Sequence, residues 1–205
     1  MNTIIIKDND DLSLAAQILV QGGLVAVPTD TIYGLACNGL DAAAVAKIYE
    51  VKGRPAIKPL ILLVAGLNTI ETVCEDIPDA ARRLAEAFWP GPLTIVMPRC
   101  PVVPDIVTAG GDTVGVRCPG HPKTLELLRI AGIPAAAPSA NPSGMPSPKS
   151  FDEVLNYFDG KIDCIVDGGI CALGVESTIV SLANKPFEIL RQGALPEEEI
   201  RRVLG

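Results

Sequence analysis

One histidine stands in this 205-residue sequence, and that scarcity removes a good deal of chemistry. A multi-histidine zinc site is excluded. A Ser-His-Asp triad would have to use His121, held in CPGHP, where a loop or helix-start histidine is the plainer reading. Aromatic residues make up 4% of the chain against 48% hydrophobic overall. The core must therefore be mainly Val, Ile, Leu and Ala, as in strands buried on both faces and covered by helices. The six cysteines (37, 74, 100, 118, 164 and 171) form no C-x-x-C pair and read as reduced thiols, most of them small core residues. The opening MNTIIIKDNDD has an apolar run of only three isoleucines before acidic residues, unlike a secretory signal. No segment approaches the roughly 20 apolar residues of a membrane helix. The expectation is a cytosolic chain with no membrane contact. A net charge of −7 argues against a broad nucleic-acid footprint, while leaving room for a local basic pocket. Neither G-x-x-x-x-G-K-[ST] nor G-x-G-x-x-G after a strand occurs, so any ATP would be held by another scheme.

What is present is punctuation and alternation. Eighteen prolines and nineteen glycines imply sharp, stiff connections. Strands are expected at Thr3–Ile6, Leu24–Pro28, Pro59–Val64, Leu93–Met97, Val114–Arg117, Ile133–Ala137, Cys164–Val166, Thr178–Leu182 and Phe187–Leu190. Helices are expected from an Asp10 or Asp11 cap to Gln21, from an Asp41 cap to Lys52, and over Asn68–Cys74, Asp79–Phe88, Pro122–Ile130 and Glu197–Leu204. Ser150 and Glu153 match a capping box opening a helix to Phe158. In the last helix three glutamates lead and Arg201 and Arg202 follow, the order that suits the helix dipole. No repeat or linker interrupts the pattern. It reads as one α/β domain over residues 1–205, with a twisted, open sheet of mixed direction flanked by helices.

Four segments are polar where packing does not require it. PTDTIYG ends a strand in Thr29, Asp30 and Thr31. Ligands of open α/β sheets sit beyond strand ends, though a capping turn is the competing account. KGRPAIKP gathers Lys52, Arg54 and Lys58. Cations near a helix C-terminus are ordinary dipole partners, but Lys58 lies beyond Pro55, and three converging cations suit a polyphosphate. APSANPSGMPSP is a stiff, donor-rich stretch, either a surface loop or a phosphate cradle. Arg117 in VGVRCP, Ser177 and Thr178 in GVESTIV, and Arg191 in ILRQGA together suggest recognition of an anion.

PTDTIYGL, KGRP with its following KPL, PGPLTIV, VGVRCP, APSANPSG, GVESTIV and LRQGA stand in this order between about Gly22 and Ala194. In that order they resemble the YrdC-type threonylcarbamoyl-AMP synthases. The resemblance implies a YrdC-like single domain with a concave basic cavity. It also implies an enzyme, a nucleotidyltransferase making threonylcarbamoyl-AMP and pyrophosphate from L-threonine, bicarbonate or CO2, and ATP with magnesium. A tRNA threonylcarbamoyl transferase complex would then use the adenylate. By position, Thr31, Arg117, Ala137 and Ser177 look like threonine contacts. Arg54, Lys58, Thr113, Ser139, Asn141, Ser147 and Arg191 look like ATP contacts, with Lys52 and Arg54 as the catalytic cations. Leu63 stands where many longer relatives have a histidine, and the sequence ends at Gly205 without the extra C-terminal domain of the longer type. The alternative function is an RNA-binding module that uses the same basic cavity without catalysis.

Overall fold

Alternation along the central strands separates two apolar cores in the computed structural model, which describes residues 2–7, 10–55, 57–184 and 186–205. The strands are β1 (Ile4–Ile6), β2 (Val25–Val27), β3 (Gly34–Asn38), β4 (Ile61–Leu63), β5 (Leu93–Pro98), β6 (Thr113–Arg117), β7 (Ala135–Ala136), β8 (Cys164–Val166), β9 (Thr178–Ser181) and β10 (Glu188–Arg191). Among the described residues they form one sheet in the order β1-β8-β2-β3-β7-β4-β6-β5-β9-β10. Pairs β1/β8, β2/β8, β4/β6 and β5/β9 are parallel. Pairs β2/β3, β3/β7, β4/β7, β5/β6 and β9/β10 are antiparallel. The single α/β domain with a mixed open sheet is as the sequence suggests.

The helices are α1 (Ser13–Val20), α2 (Ala42–Lys52), α3 (Asp79–Phe88), α4 (Asp105–Thr108), α5 (Pro122–Ala131), α6 (Phe151–Phe158) and α7 (Glu197–Leu204), with a 3-10 turn over Leu67–Thr72. Successive strand residues point to opposite faces, and the two cores follow that rule. Ala26, Leu35, Leu62 and Ile165 join α2, α3, α6 and α7 in the larger core. Val25, Val27, Ala36, Leu63 and Val166 join α1 and α5 in the smaller one. The smaller core draws nothing from β5, β6, β9 or β10. Val114 and Val116 of β6 and Leu93, Ile95 and Met97 of β5 all belong to the larger core. Gly115 and Arg117, and Thr94 and Val96, therefore face the other way, over a stretch of sheet that neither α1 nor α5 reaches. That uncovered face becomes the floor of the site.

Several local expectations need correction. The stretch after Pro28 is not the end of an isolated strand: β2 and β3 form an antiparallel pair, with Val27 opposite Gly34, so Pro28–Tyr33 is the connection between them. At the start of α1 the residue before Ser13, Leu12, is already helical, and the Asp11 carboxylate accepts from the Ser13 amide and hydroxyl at 2.9 and 2.8 Å, so Asp11 supplies the expected acidic cap. The capping box of α6 is half formed. Ser150 Oγ accepts from the Glu153 amide at 3.3 Å, but the Glu153 carboxylate takes the Lys149 amide at 2.5 Å. The helix expected over Asn68–Cys74 is the 3-10 turn, and the four-residue α4 was not expected.

Candidate active site

Thr29, Thr31, Arg54, Arg117, Ser139, Ser177 and Arg191 come together around one cavity of about 220 Å³, floored by Ile61 and Ile179. The β2–β3 connection supplies one wall. Thr29 Oγ1 donates to the Ile32 carbonyl at 2.6 Å. Its only proton being committed there, Thr31 must be the donor in the 2.8 Å contact between the two hydroxyls. Thr31 Oγ1 in turn accepts from Arg117 Nη1 at 2.7 Å. One lone pair on Thr31 remains open, so this hydroxyl can take one further donor from a ligand.

Arg117 ends β6 and is 4% exposed. Its Nε donates to the Gly91 carbonyl at 2.9 Å and its Nη2 to Asp30 Oδ1 at 2.5 Å. Asp30 Oδ1 also accepts from the Gly120 amide at 2.8 Å. Burial pulls the guanidinium down from its ordinary value, and Asp30 opposes that. Among the described residues three of the five N–H groups of the fork are used, leaving two for an anion.

The opposite wall comes from β9 and β10. Regular pairing places Glu188 beside Ser181 and Ile189 beside Val180, but a bulge then sets Arg191 beside Ile179. The bulge re-aims the strand, so Arg191 shares the cavity face with Ile179. Its Nε and Nη2 donate to the Ser177 carbonyl at 3.0 and 2.8 Å, and Nη2 also reaches Ser177 Oγ at 3.1 Å. Ser177 Oγ lies 2.8 Å from the hydroxyl of Thr94. Gly193 allows this arrangement, because a Cβ there would fall 2.3 Å from the Glu176 carbonyl oxygen.

The KGRP segment divides its cations. Asp41 caps α2 through the Ala43 amide, and Gly53 ends the helix in the left-handed conformation with φ +58°. Past that turn, Arg54 lines the cavity, its Nε and Nη2 bound to the carbonyls of Lys58 and Pro59 at 3.3 and 3.0 Å. Lys52, expected as a cavity-facing catalytic cation, lies elsewhere. It is 3% exposed, outside the cavity lining, and its ammonium donates to the carbonyls of Ser139 (2.5 Å) and Asn141. Burial, with Arg54 nearby, lowers its pKa to about 7.

Lys52 therefore fastens the stretch after β7 from below. The main chain of that stretch is stitched to the β2–β3 connection and to β3. The Leu35 amide donates to Pro138 O at 2.8 Å, Ala140 N to Tyr33 O at 2.8 Å, and Tyr33 N to Pro148 O at 2.9 Å. Ser139 lines the cavity. Asn141 sits behind it, with Nδ2 donating to the carbonyls of Pro142 and Met145 at 3.0 and 2.6 Å and a buried Oδ1 that takes no donor among the described residues.

The remaining expected contacts stand at the margin. Ala137 is buried behind Gly34. Lys58 is exposed. Thr113 opens β6 two residues before the Gly115 that pairs with Ile61. Ser147 donates its hydroxyl to Glu176 Oε1 at 2.8 Å. Leu63 pairs in register with Arg117 and is packed into the smaller core rather than the cavity. Glu176 is the residue that sequence reasoning passed over. It contributes the one carboxylate among the described lining residues, and the Ser147 hydroxyl holds it below the usual carboxylate range. The signal was its place in GVESTIV, next to a residue already singled out.

The chain is similar to known proteins over most of its length. Residues 17–193 match the protein-family model for Sua5, YciO and YrdC, whose description reads "Telomere recombination". Threonylcarbamoyl-AMP synthase of Pyrococcus abyssi is 50% identical over 194 residues, covering 95% of this chain and 57% of that protein. The Bacillus subtilis protein of the same name is 44% identical over 202 residues, covering 98% of this chain and 58% of its own length. The crystal structure of P. abyssi Sua5 complexed with L-threonine superposes with a TM-score of 0.96 at 47% identity, over 100% of this chain and 61% of that one. The chain thus spans 57–58% of the length of these two curated relatives.

Proposed function

Since the chain belongs to the Sua5/YciO/YrdC family, we propose that it is an enzyme that builds threonylcarbamoyl-AMP from L-threonine, bicarbonate or CO2, and ATP, releasing pyrophosphate. The observation that carries this reading is the match over the whole chain to a structure holding L-threonine. In this reaction the threonine amine gives up a proton and adds to CO2, forming a carbamate. A carbamate oxygen then attacks the α-phosphorus, and pyrophosphate leaves. The chemical class is nucleotidyl transfer.

The residues fit those demands by position and charge. The two spare N–H groups of Arg117 suit the carboxylate of threonine, and Thr31 and Ser177 suit its polar groups, with Ala137 behind them. Arg54, Lys58 and Arg191 suit the triphosphate, with hydroxyl donors at Thr113, Ser139 and Ser147. Lys52 and Asn141 act through the stretch they fasten. Bringing a carbamate anion against a phosphate requires cations and fixed geometry more than a proton shuttle. Effective molarity of well-placed groups lowers a barrier by roughly 7–11 kcal/mol. Magnesium enters with the nucleotide. Bound there, it would be held by the phosphates, waters and one or two protein oxygens, and would offset the charge of the triphosphate.

The adenylate is a substrate for a tRNA threonylcarbamoyl transferase complex, and we place the reaction in the cytosol. All six cysteines are free thiols, which suits a reducing compartment, and no described helix is long and apolar enough to cross a membrane. Pyrophosphate release with each substrate omitted in turn tests the reading. Release that needs threonine, bicarbonate and ATP together supports it. Release with serine, or with no amino acid, overturns the substrate. Salt-sensitive RNA binding without pyrophosphate release favours the RNA-binding module instead.

A further inference from the structure

Glu176 is out of place in a cavity meant for a polyphosphate. Its lining holds the guanidinium groups of Arg54, Arg117 and Arg191 and this single carboxylate among the described residues. The other acid nearby, Asp30, lies outside the lining and is ion-paired with Arg117 through Oδ1, which also takes the Gly120 amide, while its buried Oδ2 has no hydrogen-bond donor among the described residues. Glu176 has no such ion pair: Ser147 Oγ donates to Oε1 at 2.8 Å, and no other described side chain donates to it. Arg191 and Lys149 offset this carboxylate only at a distance, and a carboxylate beside a triphosphate is repulsive unless a cation lies between them. From the proposed ATP chemistry, we infer that Glu176 and Ser147 form the protein's half of a divalent-cation site, completed by the phosphates of the bound nucleotide.

The donor set fits magnesium. The ion takes oxygen ligands, keeps several waters, and is bound through one or two carboxylates plus substrate phosphates. A hydroxyl beside a carboxylate is also the pair that P-loop enzymes place at their magnesium. Ser147 belongs to the stretch that follows β7, and Glu176 immediately precedes Ser177, which Arg191 holds. The pair therefore bridges the two walls of the cavity at the side of Arg191. Arg191 and Lys149 lie close enough to lower the pKa of the carboxylate, and these cations weaken any metal binding until phosphate is present. The site assembles only with nucleotide.

Calorimetric titration of the chain with ATP, with and without MgCl2, tests this in wild type and in Glu176→Gln. The amide can still accept from Ser147, so the fold is kept. Wild type should bind ATP at least tenfold more tightly with magnesium, and magnesium alone should give no heat. In Glu176→Gln that gain should fall below about threefold, while metal-free ATP binds as well as or better than in wild type. If the variant keeps the full gain, the inference fails and the function stands. If it weakens metal-free and magnesium-bound ATP equally, the carboxylate is only structural. A loss confined to threonine affinity would make it the receptor for the threonine ammonium instead. Should Glu176→Gln not fold, Ser147→Ala decides by the same ratio, which should drop severalfold. Wild type that binds no ATP in either condition overturns both this inference and the function it rests on.

Discussion

Asp30 and Arg117 form an ion pair at 2.5 Å, with 13% and 4% of their side chains exposed. Removing one partner of a buried pair strands the other charge away from water, at a cost of about 3–5 kcal/mol. Asp30→Ala should therefore unfold at markedly lower urea concentration than wild type. It should also lose threonine binding, because Arg117 is no longer held against Thr31. A urea midpoint within error of wild type would show that the pair contributes nothing.

Arg54→Ala should leave stability nearly unchanged, since its partners are the carbonyls of Lys58 and Pro59 at the edge of solvent. Losing one charge-assisted contact to phosphate, worth about 1.5–3 kcal/mol, slows adenylate formation on the order of ten- to a hundredfold. Single-turnover measurement of threonylcarbamoyl-AMP, together with a melting curve, checks both halves. A folded variant working at the wild-type rate removes Arg54 from the site.

Lys52 carries a pH signature. Its folded pKa, about 7, lies below its ordinary value of 10.5. Between those values the unfolded chain holds the proton and the folded chain does not. This group's contribution is thus fully present above 10.5 and is lost as pH falls to about 7. Lys52→Met should flatten the rise of stability with pH across that window, by up to about 1.4 kcal/mol per pH unit. Chemical denaturation at several pH values reads the slope directly, and an unchanged slope would place the titration elsewhere.

Gly193→Ala tests the bulge wall. The new methyl would sit 2.3 Å from the Glu176 carbonyl oxygen and 2.4 Å from the Ser177 carbonyl carbon, both rigid main chain. Overpacking of this kind costs about 1–3 kcal/mol and should pull Arg191 away from Ser177. The expected result is a lower melting temperature with weakened threonine and ATP binding. Wild-type affinity for both ligands would show that the turn can yield without moving the site.

Most elements were legible because local signals agreed with one another. Asp79–Phe88 and Glu197–Leu204 have the bounds the sequence suggests, each with helical periodicity and a proline just ahead. β3 was not legible. Its residues, GLACN, open on glycine and lack the β-branched run of a recognisable strand, and their pairing partners β2 and β7 supply the reason for them to extend. The four residues of α4 are too few to show a period. At the site, residue types were readable but directions were not. A lysine ending a helix looks like a dipole partner, and only the approach of Ser139 and Asn141, 87 and 89 positions away, turns it inward. Arg191 faces the cavity because of one bulge, which no pattern in ILRQGA announces. Glu176 was hidden for the opposite reason, since a single acid in a strand approach normally points to solvent.

The stretch from Pro138 to Pro148 is joined to β3 and the β2–β3 connection through main-chain bonds at Leu35, Ala140 and Tyr33, with Lys52 fastening it underneath. Its entropy of ordering is thus lost once, when the chain folds. A nucleotide that meets Ser139 finds its donors already in place and is spared the roughly 0.5–1.5 kcal/mol that each newly immobilised side chain would otherwise subtract from affinity. This wall behaves in binding as a preorganised surface rather than a closing one. Ligand capture there should be limited by diffusion and desolvation, not by the folding of a loop.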